Sequence, residues 1–106
     1  MKAIRFKVTG LVQGVGYRQT CRRVARSLDL VGWVRNLPDG SVEAFAQGGD
    51  GALDSLLEWA WHGPVPSRVT GVESDVVASD PTLTDFFVQP NPVKMRGETG
   101  GSARDR

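Results

Sequence analysis

The chain predicts an α+β fold: a ferredoxin-like βαββαβ sandwich, with two helices on one face of an antiparallel sheet and a short fifth strand. Three observations carry this expectation. Several short runs alternate apolar and polar residues, the mark of strands with one buried face. Two longer runs repeat their apolar residues at i, i+3, i+4 and i+7, the mark of helices with one buried stripe. The runs follow in the order strand, helix, strand, strand, helix, strand. Packing both helices on one side of the sheet is the economical arrangement for that order.

The first strand spans Ala3 to Val8, where Ile4, Phe6 and Val8 alternate with Arg5 and Lys7. Gly10 to Gly16 is a loop. From about Arg18 to Leu28, the residues Cys21, Val24, Ala25 and Leu28 form an apolar stripe, with Arg22, Arg23 and Arg26 off it. Val31 to Arg35 is a short strand. Asn36-Leu37-Pro38-Asp39-Gly40 is a turn in which Asp-Gly supplies the backbone freedom of a hairpin. Val42, Ala44 and Ala46 alternate as the return strand. Asp50 is the expected N-cap of the second helix. Its stripe is Leu53, Leu56, Leu57, Ala60 and Trp61, and His62-Gly63-Pro64 ends it. Arg68 to Val77 is the fourth strand and Leu83 to Val88 the short fifth, set off by Asp80-Pro81.

The 106 residues make one domain, expected over residues 1–89. Residues 90–106 have few apolar side chains, no periodicity and several glycines, so they read as a disordered tail. The 40% hydrophobic and 24% charged content belongs to an ordinary globular protein. No apolar run approaches the ~18 residues that would span a bilayer. The first ten residues lack the apolar region of a signal peptide. The single cysteine, Cys21, leaves no internal disulfide and no zinc site of the CxxC type. A cytoplasmic protein without a membrane partner is the expectation.

The formal net charge of +1 speaks against a dedicated nucleic-acid binder. The charge is uneven, however. Residues 1–30 carry seven basic side chains and one acidic one, while the remainder carries six basic and eleven acidic. One part of the molecule can therefore present a positive field to small anions, unless these are simply solvated surface charges.

The stretch GLVQGVGYR, Gly10 to Arg18, is where such a field would be used. Gly14 and Gly16 let the backbone amides of Gln13, Gly14, Val15, Gly16 and Tyr17 turn inward as a nest for an anion. The helix that follows adds its positive dipole end. Arg18 offers a planar fork that matches two phosphate oxygens. The nucleotide-binding patterns GxxxxGK[ST] and GxGxxG are both missed, so the loop fits a small phosphate or serves as a plain strand-to-helix connection. Asn36 is the second candidate. Its carboxamide has a donor and an acceptor end and can hold a water by one proton, although asparagine before Pro-Asp-Gly is also an ordinary turn residue. His62 at a helix end, Cys21 on an apolar stripe and the tryptophans Trp33, Trp59 and Trp61 read as structural. No carboxylate pair stands near the loop. Any enzyme here holds and orients its substrate instead of shuttling protons.

Taken together, two segments resemble the acylphosphatase family. GxVQGVx[FY]R is met by Gly10, Val12, Gln13, Gly14, Val15, Tyr17 and Arg18. The second family pattern is met by Gly32, Trp33, Val34, Arg35, Asn36, Gly40, Val42 and Gly48. Gly63-Pro64 and Thr84-Asp85-Phe86 extend the likeness, which covers about residues 3–88. The resemblance implies a small ferredoxin-like hydrolase that cleaves carboxyl-phosphate bonds with no metal and no cofactor. It implies that Arg18 binds the phosphate with the loop amides of residues 13–17, and that Asn36 orients the attacking water. The implied partners are a small acyl phosphate and inorganic phosphate, as product and inhibitor, on a monomer. The chain departs from the family at Leu11, where a basic residue is common, at Cys21, and in the tail.

Two other readings compete. A non-catalytic module binding acyl or carbamoyl phosphate, or a protein partner, would need no intact pair at Arg18 and Asn36. An RNA-binding module would need aromatics on the open face of the central strands. Phe6 alternates into the apolar face, so the first strand offers none.

Overall fold

A computed structural model describes residues 1–91. The tail expected from residue 90 lies outside the described residues from residue 92 on. The elements are β1 (Lys2–Leu11), α1 (Tyr17–Ser27), β2 (Val31–Asn36), β3 (Val42–Gly48), α2 (Asp50–His62), β4 (Arg68–Val77) and β5 (Phe86–Val88). Their sheet order is β4-β1-β3-β2-β5. The first four strands pair antiparallel, with Phe6 opposite both Ala44 and Ser74 and Val34 opposite Ala44. The fifth departs from the antiparallel expectation: β5 lies parallel to β2, with Gly32, Trp33 and Val34 beside Phe86, Phe87 and Val88. Chain direction explains this. β4 ends at one outer edge, and the connection passes the end of β3 to the other edge, where β5 starts level with the start of β2. Gln47 at the end of β3 pins that crossing. Its Nε2 donates to Asp80 O (2.8 Å), and its Oε1 accepts from the Asp80 N–H (2.8 Å).

The core lies between the sheet and both helices. Ile4, Phe6 and Val8 of β1, Val34 of β2 and Ala44 and Ala46 of β3 meet Cys21 and Ala25 of α1 and Leu53, Leu56 and Ala60 of α2. These are the residues the two periodicities select. Two details of α2 differ from expectation. Asp50 is the first helical residue; Gly49 holds the N-cap position and no side chain caps the end. Asp50 still favours the helix through the positive dipole end. Trp61 is exposed, and Trp59 packs inward in its place.

The inward turn of Trp59 follows from Tyr17. Its ring is fully buried at the start of α1, with its centroid 4.9 Å from that of Trp59. Its hydroxyl donates to Ala60 O near the end of α2 (2.8 Å). One side chain thus ties the first turn of α1 to the last turn of α2, and burial pushes its phenol well above the ordinary tyrosine range. Tyr17→Phe is expected to leave the fold intact and lower the unfolding free energy by about 1–3 kcal/mol, because the Ala60 carbonyl loses a buried donor. A urea midpoint within experimental scatter of the unaltered chain would contradict this. Cys21, as expected, belongs to the core, and burial pushes its thiol up to about 12. It is shielded and protonated, unlike a working nucleophile.

On the opposite face of the sheet Trp33 stacks on Phe45, with ring centroids 6.1 Å apart and planes 16° from parallel. Arg35 lies 5.1 Å over the Trp33 ring and pairs with Glu43 at 2.7 Å, while Arg5 approaches the same carboxylate at 4.0 Å. Both arginines thus face the Glu43 carboxylate within the sheet.

Candidate active site

Strand directions place three segments at one end of the sheet: the loop after β1, the end of β2 with Asn36, and the residues that follow β5. The loop is anchored from below by Val12, fully buried, and Val15, packed on the core. Gln13 anchors it from the side. Its Nε2 donates to Leu37 O (2.8 Å) and Ser41 O (2.9 Å), clipping the loop to the β2–β3 hairpin. Gln13 therefore has a structural role through its side chain, one the motif did not reveal.

Gly14 and Gly16 are exposed and hold φ values of 75° and 80°. A side chain there would meet no neighbour, so the requirement is conformational. The left-handed region costs other residues about 1–2 kcal/mol. Gly16 is the N-cap of α1, and no side chain caps that helix end. The first backbone donor of the helix is Thr20 N–H, to Gly16 O at 3.1 Å. None of the amides from Gln13 to Gln19 donates to an acceptor among the described residues. The loop and first turn thus present a row of uncommitted donors at the positive end of a helix dipole.

Arg18 stands at the start of this turn, partly buried. One Nη donates to Gln89 O (3.0 Å), and the other donors of the guanidinium have no acceptor among the described residues. Asn36 ends β2 and is buried, 7% exposed. Its Nδ2 donates to Asn91 Oδ1 (2.9 Å). Its Oδ1 is buried without a partner among the described residues. A buried acceptor left open is costly, so such an atom calls for a partner that a water or a ligand can supply. The adjacent hairpin is rigid: Leu37 N–H bonds Ser41 O (2.8 Å), and Asp39 accepts from the Ser41 amide (3.0 Å) and hydroxyl. Ser41 and then Lys7, at 2.9 Å, hold the Asp39 carboxyl well below the usual carboxylate range.

The site residues proposed from the sequence, Gln13 to Arg18 and Asn36, thus come from the loop after β1, the first turn of α1 and the end of β2, all at one sheet end. Leu11, at the end of β1, is exposed, and His62 lies exposed at the end of α2. Among the described residues no three His, Cys, Asp or Glu side chains cluster in a way that could hold a metal ion. No helix among them is long and apolar enough to cross a membrane. Gln89 and Asn91 were not indicated by any sequence pattern. Asn91 lies 55 residues from its partner, and a contact so distant leaves no trace in local spacing.

Fold and site together define a ferredoxin-like sandwich whose strand-to-helix turn collects unpaired donors and one arginine. Comparison with known proteins makes the class specific. The profile of the Acylphosphatase family matches residues 4–88. An acylphosphatase of Methylococcus capsulatus is 47% identical over 88 residues, covering 83% of this chain and 96% of that one. The crystal structure of acylphosphatase from Bacillus subtilis superposes with a TM-score of 0.81 at 36% identity, over 85% of this chain and 100% of that one. An acylphosphatase from Coxiella burnetii gives 0.80 at 38% identity, over 83% and 92%. The chain belongs to the acylphosphatase family.

Proposed function

We propose that this chain hydrolyses the carboxyl-phosphate bond of small acyl phosphates, giving a carboxylate and inorganic phosphate. The observation that carries the reading is the open, buried Oδ1 of Asn36 at the same sheet end as Arg18 and the uncommitted loop amides. The amides of residues 13–17 and the Arg18 guanidinium hold the phosphoryl oxygens and neutralise their charge. Asn36 Oδ1 accepts one proton of a water and aims its lone pair at phosphorus. The water oxygen bonds to phosphorus in line as the bond from phosphorus to the carboxylate oxygen breaks. The water proton passes to a phosphoryl oxygen of the substrate, and the electron pair leaves with the carboxylate. Because a carboxylate is a good leaving group, positioning and charge neutralisation suffice, and no side-chain base is required. Inorganic phosphate, held by the same donors, acts as a competitive inhibitor. The enzyme works as a cytoplasmic monomer.

The test is hydrolysis of a simple aryl acyl phosphate in ¹⁸O-labelled water, with and without a chelator. Turnover is expected to be equal in both, with the label in phosphate. Label in the carboxylate would place the attack on the carbonyl carbon and remove the role given to Asn36.

A further inference from the structure

We infer that Asn91 is a positioning residue for this reaction: it holds the Asn36 carboxamide with its acceptor end toward the attacking water. The inference rests on the hydrolase reading above and extends it to a residue beyond the matched span, which ends at residue 88.

A carboxamide is two-faced. Turned by half a rotation about its last bond, it exchanges an acceptor for two donors. For Asn36 the two states differ in consequence. With Oδ1 toward the site, the amide accepts a proton from the water and leaves the water's lone pair directed at phosphorus. With Nδ2 toward the site, the amide donates to that lone pair and blunts it. Nothing within β2 selects between the two. Among the described residues the partner of this carboxamide is Asn91, whose Oδ1 accepts the Nδ2 proton at 2.9 Å and leaves Oδ1 of Asn36 as the open end.

The segment carrying Asn91 is well placed for this. Gln89 N–H bonds Val34 O (2.8 Å), continuing the parallel ladder of β5 by one residue. Gln89 O accepts from Arg18 at 3.0 Å. Pro90 then fixes its own φ and removes a donor, which limits how the chain can present residue 91. Residues 89–91 thereby touch both side chains of the proposed site.

The experiment compares kcat and KM for an aryl acyl phosphate in the unaltered chain, Asn91→Ala, Asn91→Asp, Asn36→Ala and the Asn36→Ala/Asn91→Ala double variant. Asn91→Ala is expected to lower kcat about fivefold, the equilibrium weight of one net hydrogen bond, with KM little changed. Asn91→Asp keeps an acceptor and should restore kcat, while its negative charge beside the phosphate raises KM. In the double variant the Asn91 effect should vanish, because there is no longer an amide to orient. An unchanged kcat in Asn91→Ala, with Asn36→Ala inactive, would overturn this inference and leave the hydrolase reading standing. Equal loss of kcat in Asn91→Ala and Asn91→Asp would also overturn it, showing that acceptance from Asn36 is not the residue's role. No turnover by the unaltered chain would overturn the hydrolase reading and the inference with it.

Discussion

Arg18→Ala is expected to abolish acyl phosphate hydrolysis and to weaken inhibition by inorganic phosphate in parallel. Among the described residues the Arg18 guanidinium is the cation at the open amide row, and it is partly buried, where a charge acts more strongly than in water. Removal of a single aimed donor costs ~10²–10³ in rate in comparable sites, and a charged two-pronged donor should cost at least as much. Both ground state and transition state carry the phosphate, so KM should rise as kcat falls. The fold should survive. Arg18 makes one hydrogen bond among the described residues, to Gln89 O, at a partly exposed position. The effect is therefore on chemistry, and thermal unfolding beside phosphate inhibition separates the two. An Arg18→Ala protein that still bound phosphate as tightly as the unaltered chain would remove the cradle from the mechanism. Arg18→Lys should recover only part of the loss, since an ammonium keeps the charge but not the fork.

Asn36→Ala is expected to have the second large effect, of a different kind. Its proposed partner is the water and not the phosphate, so kcat should fall by ~10² or more while KM stays within a few-fold. Stability should barely change, by about 1 kcal/mol or less, because the substitution removes a buried acceptor that has no partner as well as one hydrogen bond to Asn91. A residue whose loss costs activity but almost no stability is what an orphaned buried atom predicts. Proportionate losses in kcat and phosphate affinity would mean instead that Asn36 shapes the loop, through the hairpin that Gln13 grips. Circular dichroism and a urea midpoint would show which of the two is lost.

Much of this was legible without coordinates. The alternation of Ile4, Phe6 and Val8 and the helical spacing of Cys21, Val24, Ala25 and Leu28 report burial directly, because each side of a strand or helix meets a single environment. Gly14 and Gly16 could be singled out because glycine alone takes positive φ without strain, and both do. Arg18 and Asn36 could be proposed because the loop and the strand end around them carry distinctive residues within short spans. The RNA platform was set aside on Phe6, which is buried; the open face nevertheless carries Trp33 and Phe45, whose pairing depends on a strand register that no single strand contains.

What the sequence determined by itself was local: which segments are strands and helices, which face of each is buried, and where the backbone must turn. Tertiary structure alone decided how these meet. The parallel placement of β5 depends on a crossing tied by Gln47 and Asp80, 33 residues apart. The inward turn of Trp59 depends on a tyrosine in the other helix. Gln13 became a clip, and Asn36 acquired an orientation, through acceptors on segments far along the chain. The physical reason is common to all four: periodicity reports the environment a residue needs, whereas its packing and hydrogen-bond partners are set by where the packed layers bring distant backbone and side chains together.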